Sequence, residues 1–325
     1  MQAIRPRQNG GPALLTVENL PTPAPGPGEA LVRIEAAGVN YIDVYHLTGL
    51  YPTPKPIPIG LEGAGVVESV GAAVQLAKVD VKVGDRVAWA SGPGSYASHV
   101  VVPVDRLVPV PDGVSTEAAA ASMLQGMTAH YLGKTIFPLH AGQIALIHAA
   151  AGGVGLLLTQ LAKRAGAQVI GTVSTEAKAQ LSKEAGADHV INYTEGDFVA
   201  EVKRITSGRG VDVVYDSVGK TTFDGSLESL ALRGHLVLFG QSSGVVPPFD
   251  PTRLTKGSYT LTRPSLQHYT STRAELLARA GDVLGMIAAG QLDVRIERKF
   301  PLAQAADAHR ALTSRATTGK LLLIP

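Results

Sequence analysis

Gln143-Ile144-Ala145-Leu146-Ile147-His148-Ala149-Ala150-Ala151-Gly152-Gly153-Val154-Gly155 is the stretch on which the reading of this chain turns. An apolar run ends in small residues and glycines, then passes into Leu156, Leu157, Leu158, Gln160, Leu161, Ala162 and Lys163, the pattern of a strand, a tight turn and a helix. Gly152 and Gly153 carry no Cβ to hold a ligand away, and Gly155 lets the new helix pack close to the strand. The N–H groups of a first helical turn attract an anion. The stretch therefore reads as the pyrophosphate-binding turn of a dinucleotide site, with Gly152, Gly153 and Gly155 as cofactor residues.

Downstream, strand and helix patterns alternate: strands over 144–148, 169–173, 189–192, 211–215 and 236–239, with helical segments between them. Such alternation with short connections implies a parallel sheet covered by helices on both faces. Upstream, the first 120 or so residues read as mostly β, with apolar or alternating runs at 30–34, 65–70, 86–89 and 98–102 between Pro- and Gly-rich turns. The tail offers a last strand at 259–262, a long amphipathic helix over 273–289 and a terminal strand over 319–324. Helix plus strand alone lack a core, so the tail is expected to rejoin the first domain. The expectation is an α/β chain of two domains: 1–122 with 264–325, and a doubly wound dinucleotide-binding domain over 123–263.

With 325 residues, each domain is long enough for a core of its own. Lys and Arg total 29 against 27 Asp and Glu, a near balance that disfavours a dedicated nucleic-acid partner. No cysteine is present, which removes disulfides, thiol nucleophiles and thiolate metal ligands together and makes the cytoplasm the simplest expected location. The apolar region over 144–162 is interrupted by His148, adjacent glycines and Gln160, so it reads as buried strand and helix rather than a membrane span.

Nineteen positions after Gly155, where an enzyme preferring NAD carries an acid for the ribose hydroxyls, stands Ser174, with Lys178 a turn later. A serine donor and a lysine suit a 2′-phosphate, which a carboxylate would repel, so the cofactor expected is NADPH. Gly240-Gln241-Ser242-Ser243-Gly244 matches the G-x-S-x-G nucleophile elbow, but Val245-Val246-Pro247-Pro248 follows where a helix is required. A serine hydrolase is rejected, and Gly240 and Ser242 are placed at the end of a sheet strand, by the nicotinamide. The nine histidines show no metal-ligand spacing.

Gly38-Val39-Asn40-Tyr41-Ile42-Asp43, Gly49-Leu50-Tyr51-Pro52, Gly63-Ala64-Gly65-Val66-Val67, Gly84-Asp85-Arg86-Val87, the turn 148–155, Val214-Tyr215-Asp216-Ser217-Val218-Gly219, Thr262-Arg263-Pro264-Ser265 and Ser314-Arg315-Ala316-Thr317 occur in that order. Through them the chain resembles the medium-chain dehydrogenase/reductase superfamily, most closely its zinc-free, ζ-crystallin-like NADPH:quinone oxidoreductases. The resemblance implies a GroES-like first domain, NADPH in the cleft between domains, a quinone as small-molecule substrate and a homodimer paired through sheet edges around 258–262. It implies Asn40 and Thr128 by the nicotinamide, Gly152, Gly153 and Val154 by the pyrophosphate, Ser174, Lys178, Tyr193 and Arg315 around the 2′-phosphate, and Ser217, Gly240 and Ser242 along the rest of the cofactor. Asn40, Tyr45 and Tyr51 are the catalytic candidates, the tyrosines lining the substrate side. Zinc relatives hold their metal with cysteine and histidine in the segments that here read Gly38-Val39-Asn40 and Gly60-Leu61-Glu62, so no metal is expected. Gln125 departs from a lysine common among relatives. An enone or enal C=C reductase and a structural or AU-rich RNA-binding role are the alternatives.

Overall fold

The computed structural model describes residues 1–72, 79–90 and 92–325. The chain divides into two compact units, Met1–Met127 with Thr270–Pro325, and Thr128–Tyr269.

In chain order the first unit opens with β1 (Gln2–Ile4), β2 (Val17–Asn19), β3 (Glu29–Val39), α1 (Tyr41–Thr48), β4 (Glu62–Val70), β5 (Arg86–Ala90), β6 (His99–Pro103) and β7 (Val108–Pro109), followed by α2 (Thr116–Tyr131). The second unit contributes β8 (Ile144–Ile147), α3 (Gly153–Arg164), β9 (Gln168–Val173), α4 (Glu176–Glu184), β10 (His189–Asn192), α5 (Phe198–Ile205), β11 (Val211–Asp216), α6 (Phe223–Glu228), β12 (Leu230–Leu238), β13 (Thr260–Thr262) and α7 (Leu266–Tyr269). The chain then returns to the first unit with α8 (Arg273–Ala288), β14 (Ile296–Pro301), α9 (Ala305–Thr313) and β15 (Lys320–Ile324).

In the second unit the strands lie in the order β10-β9-β8-β11-β12-β13, every pair parallel. Numbered from β8, that is the order 3-2-1-4-5-6 of a doubly wound dinucleotide fold, whose direction of winding reverses between β8 and β11. Ligands of such sheets bind beyond the carboxyl ends of the strands at that reversal, where the glycine turn stands. Ala145, Leu146 and Ile147 of β8 are fully buried, which is why its sequence is continuously apolar rather than alternating. Leu146, Ile170, Val214, Leu236 and Phe223 share one core there.

The first unit builds a sheet in the order β14-β15-β3-β4-β5-β7, with β6 also on β3. Trp89, Tyr96, Ile57, Ile59, Leu107 and Leu321 fill its core. Each such fully buried side chain contributes roughly 1.5–3 kcal/mol relative to exposure. The tail joins this sheet through β15, which pairs antiparallel with β3. Edge strand β14 is absent from the expected elements because Glu297, Arg298 and Lys299 interrupt its apolar pattern, charges that also guard a sheet edge against foreign strands.

Two expected boundaries move. The division falls within α2, between Met127 and Thr128, five residues beyond position 122. At the far end it falls after Tyr269 rather than at 263, because α7 stays with the second unit, where Tyr269 stacks on Tyr131 at 4.5 Å. α6 stops at Glu228, and β12 starts at Leu230, earlier than its apolar run over 236–239 suggests. Arg233, at φ 61°, sits within it. Among the described residues no helix is long and apolar enough to cross a membrane.

Candidate functional site

The second unit presents its candidate residues along the carboxyl ends of its strands. β8 ends at Ile147, Ala149 adopts φ 51°, and α3 starts at Gly153. A non-glycine residue in the left-handed region is a local strain that close binding sites often carry. The N-cap is Gly152, which has no side chain with which to cap the first helical N–H groups. A Cβ at Gly155 would meet the Ala149 carbonyl oxygen and lie 2.8 Å from Ala150 Cα. The helix can approach the strand end only because Gly155 is a glycine.

Beneath the turn lies a buried polar chain that the sequence did not announce. His148 Nδ1 lies 2.9 Å from Thr172 Oγ1 and Nε2 lies 3.0 Å from Ser226 Oγ, while Ser226 Oγ donates to Asp216 Oδ2 at 2.8 Å. Burial pushes the His148 imidazole below its ordinary value, against the opposing pull of Asp216. The ring is therefore neutral at pH 7, and since the Ser226 proton goes to Asp216, the hydrogen sits on Nε2. Asp216 Oδ1 accepts from the N–H groups of Val218 and Gly219 at 2.8 and 2.9 Å. This chain ties the ends of β8, β9 and β11 to α6.

Ser174 directly follows β9, Lys178 Nζ donates to Ser174 Oγ at 3.4 Å, and Tyr193 N–H donates to Val173 O at 3.0 Å. Ser174, Lys178 and Tyr193 thus converge at the ends of β9 and β10, with the Tyr193 side chain exposed. Ser217, Gly240 and Ser242 converge at the ends of β11 and β12, where Ser242 N–H donates to Ser217 O at 3.2 Å. A Cβ on Gly240 would lie 2.9 Å from Ser217 Cα. No helix follows Gly244 directly, as a nucleophile elbow requires. Thr128 is buried on α2 as the first residue of this unit.

Asn40, Tyr45, Tyr51 and Arg315 belong to the other unit. Asn40 ends β3 and caps α1, and its side chain is held in a buried network. Lys320 Nζ donates to Asn40 Oδ1 at 2.8 Å and to Glu62 Oε1, and Asn40 Nδ2 donates to the same Glu62 oxygen at 2.6 Å. Glu62 Oε2 accepts from Leu124 N–H at 2.6 Å, and Gln125 Nε2 donates to Asn40 Oδ1 at 3.2 Å. Lys320 is 1 % exposed, Glu62 0 % and Asn40 4 %, so this ion pair is dry. A buried pair is kept only where its remaining valences are hydrogen-bonded, as here.

The network continues through Asp43, whose Oδ2 accepts from Asn40 N–H at 2.8 Å and from the Tyr96 hydroxyl at 3.0 Å. The Tyr96 oxygen lies 2.9 Å from His309 Nε2. Burial raises the Asp43 carboxyl to about 7, opposed first by the Asn40 N–H and then by Lys320. Burial lowers His309 to about 4. Glu62, Lys320, Asp43, Tyr96 and His309 are absent from the candidates drawn from sequence. No local signal marked them, since a single charge in a strand, as at Glu62 or Lys320, reads as solvated until its partner is seen.

Tyr45 is buried, and its ring meets Tyr51 edge to face at 5.2 Å. Arg315 is exposed at φ 59° in the turn after α9.

Asn40 and Leu61 occupy the segments where zinc relatives place two ligands, and they do not fit the metal. Leu61 has no donor atom, the Asn40 oxygen is already shared by an ammonium and an amide, and the nearby Glu62 is neutralised by Lys320. Among the described residues no group of three or more His, Asp or Glu side chains could hold a metal ion.

Residues 26–112 match the family described as alcohol dehydrogenase GroES-like domain, and residues 153–280 the one described as zinc-binding dehydrogenase. The chain is 45 % identical to a quinone oxidoreductase of Pseudomonas aeruginosa, covering 97 % of both sequences. It matches the crystal structure of Escherichia coli quinone oxidoreductase complexed with NADPH at a TM-score of 0.97 and 43 % identity, and a mycobacterial structure complexed with NADPH at 0.97 and 48 %, each covering both chains completely. Identity of this extent, on a GroES-like sheet joined to a 3-2-1-4-5-6 parallel sheet, settles the family: the chain belongs to the quinone oxidoreductases of the medium-chain dehydrogenase/reductase superfamily.

Proposed function

We propose that this protein is an NADPH-dependent quinone reductase that works without a metal. The observation that carries the reading is the set at the ends of β9 and β10: Ser174 and Lys178, 3.4 Å apart, with Tyr193 beside them and no acid where a ribose-binding carboxylate would stand. A 2′-phosphate gains charge-assisted hydrogen bonds there. Arg315 of the first unit is assigned to the same phosphate. The uncapped start of α3 at Gly152, Gly153, Val154 and Gly155 is assigned to the pyrophosphate, Ser217, Gly240 and Ser242 to the remaining length of the cofactor, and Thr128 and Asn40 to its nicotinamide end.

NADPH supplies the reducing electrons. The chain's own residues bind and orient, and positioning of this kind provides most of the acceleration when the acceptor is already electrophilic. A quinone needs no Lewis acid, which agrees with a Lys320–Glu62 pair in place of metal ligands. Tyr45 and Tyr51, whose ring planes meet at 62°, are assigned to the flat substrate, a tyrosine hydroxyl donating to a quinone oxygen.

The test is turnover of 1,4-benzoquinone, 9,10-phenanthrenequinone and 2-hexenal with NADPH and with NADH, with and without chelator. The reading expects the quinones to be reduced with NADPH preferred and chelator without effect. Preference for 2-hexenal would transfer the protein to C=C reduction, and loss of activity with chelator would overturn the metal-free reading. Two further assignments belong to this proposal. A homodimer is formed through β13, the edge of the parallel sheet, and sedimentation as a monomer at micromolar concentration would refute it. The location is the cytoplasm, consistent with a chain that has no cysteine to oxidise, and near-balanced charge gives RNA no basic stripe to hold.

A further inference from the structure

Gln125, on α2, has one half of its carboxamide committed and the other not. Its Nε2 donates to Asn40 Oδ1 at 3.2 Å, while its Oε1 is buried with no hydrogen-bond partner. The sense of this arrangement is imposed by charge. An ammonium only donates, so the Asn40 atom 2.8 Å from Lys320 Nζ must be the oxygen. A carboxylate only accepts, so the Asn40 atom 2.6 Å from Glu62 Oε1 must be the nitrogen. Two opposite charges therefore leave the Asn40 carboxamide a single orientation, and its oxygen in turn demands a donor from Gln125. Gln125 must answer with Nε2, which leaves Oε1 as an acceptor of fixed polarity. A buried acceptor left unpaired is a loss to folding that an arriving donor recovers.

We infer that Gln125 is a specificity-determining residue of this enzyme: Lys320 and Glu62, acting through Asn40, hold Gln125 Oε1 as an acceptor for an N–H or O–H group on a bound ligand. Lys320 and Glu62 are positioning residues, since they act only through Asn40. The inference rests on the NADPH-dependent quinone reading, in which two groups carry such a donor: the carboxamide of the nicotinamide ring and the hydroxyl of the hydroquinone product.

Two ligand pairs separate these sources. Equilibrium binding compares NADPH with its 3-acetylpyridine analogue, which keeps the carbonyl and lacks the N–H. Inhibition of turnover compares 1,4-hydroquinone with its dimethyl ether. The wild type is expected to favour the donor-bearing member of one pair by about tenfold, the worth of one buried hydrogen bond. Gln125→Leu, which keeps the shape and cannot accept, should level that pair and leave the other unchanged. Gln125→Met serves equally should the leucine variant unfold, and thermal unfolding shows which variant is native. Levelling of the first pair assigns the nicotinamide carboxamide, and levelling of the second assigns the hydroquinone hydroxyl. Ratios in a folded variant equal to those of the wild type in both pairs, or a wild type with no preference in either, overturn the inference. A wild type that binds NADPH and reduces no quinone breaks the functional reading instead, while the first pair still reads Gln125.

Discussion

The glycine turn before α3 and the lysine-centred network around Asn40 solve the problem of polar groups at a functional site in opposite ways. The turn uses backbone: residues 149–155 are contiguous, Gly152 N–H closes on Ala149 O at 2.8 Å, and what matters is the absence of side chains. The network uses side chains gathered from four places, with Lys320 and Asn40 280 positions apart in sequence. A backbone site is broken by adding an atom, whereas a network of charges is broken by removing one.

The largest expected effect tests that second statement. Lys320→Met leaves the fully buried Glu62 carboxylate without its cation, a loss on the order of 3–5 kcal/mol of stability. Adding Glu62→Gln removes the stranded charge and should restore at least about 1 kcal/mol, a coupling typical of residues in one network. Recovery should be incomplete, because the Glu62 carboxylate accepts from both Leu124 N–H and Asn40 Nδ2 and a glutamine has one oxygen to offer them. Denaturant unfolding of the two single variants and the double variant reads this cycle. Strict additivity would show that Lys320 and Glu62 do not act as a pair.

The same contrast explains what could be read from sequence. The parallel sheet and its turn were legible because every signal is local: apolar runs at strand length, glycines between strand and helix, and Ser174 at a fixed distance from Gly155. Ser174, Lys178 and Tyr193, separated in sequence, meet because strand register carries them to one edge. The Asn40 network was not legible, because no short window contains Glu62 and Lys320 together and each alone resembles a solvated strand charge. Strand β14 was hidden for a related reason: Glu297, Arg298 and Lys299 erase the alternation that marks a strand, although β15 pairs with it. Gln125 was visible as a departure, yet its significance depends on the polarity that a distant lysine imposes.

Asp43 supplies a smaller test of the network through pH. Its folded carboxyl is raised to about 7 from an ordinary value of 3.8, so the folded state holds its proton more tightly than the unfolded state. The stability this contributes is full at acid pH and is lost as pH rises through 7. Asp43→Asn keeps an oxygen to accept from Asn40 N–H and the Tyr96 hydroxyl and has no proton to lose. Between pH 5 and pH 8 the variant should therefore gain on the wild type by roughly 2–3 kcal/mol in denaturant unfolding. A difference that stays flat across this range would mean that Asp43 is ionised throughout, with the network holding a net negative charge.

The smallest effect belongs to the backbone-built side, and there two terms oppose each other. Gly155→Ala replaces a glycine in the first turn of α3, and alanine favours a helix by up to about 1 kcal/mol. The added Cβ meets the Ala149 carbonyl oxygen and lies 2.8 Å from Ala150 Cα, both backbone atoms that cannot swing aside. Overpacking of this kind costs about 1–3 kcal/mol, so the net should be a loss of roughly 1–2 kcal/mol. Relief requires α3 to move away from the end of β8, which displaces the N–H groups assigned to the pyrophosphate, so NADPH affinity should fall together with stability. Thermal unfolding and NADPH titration of the same variant read both. A variant that gains stability would show that helix propensity outweighs the contact, and one that loses stability while binding NADPH normally would detach Gly155 from the cofactor site.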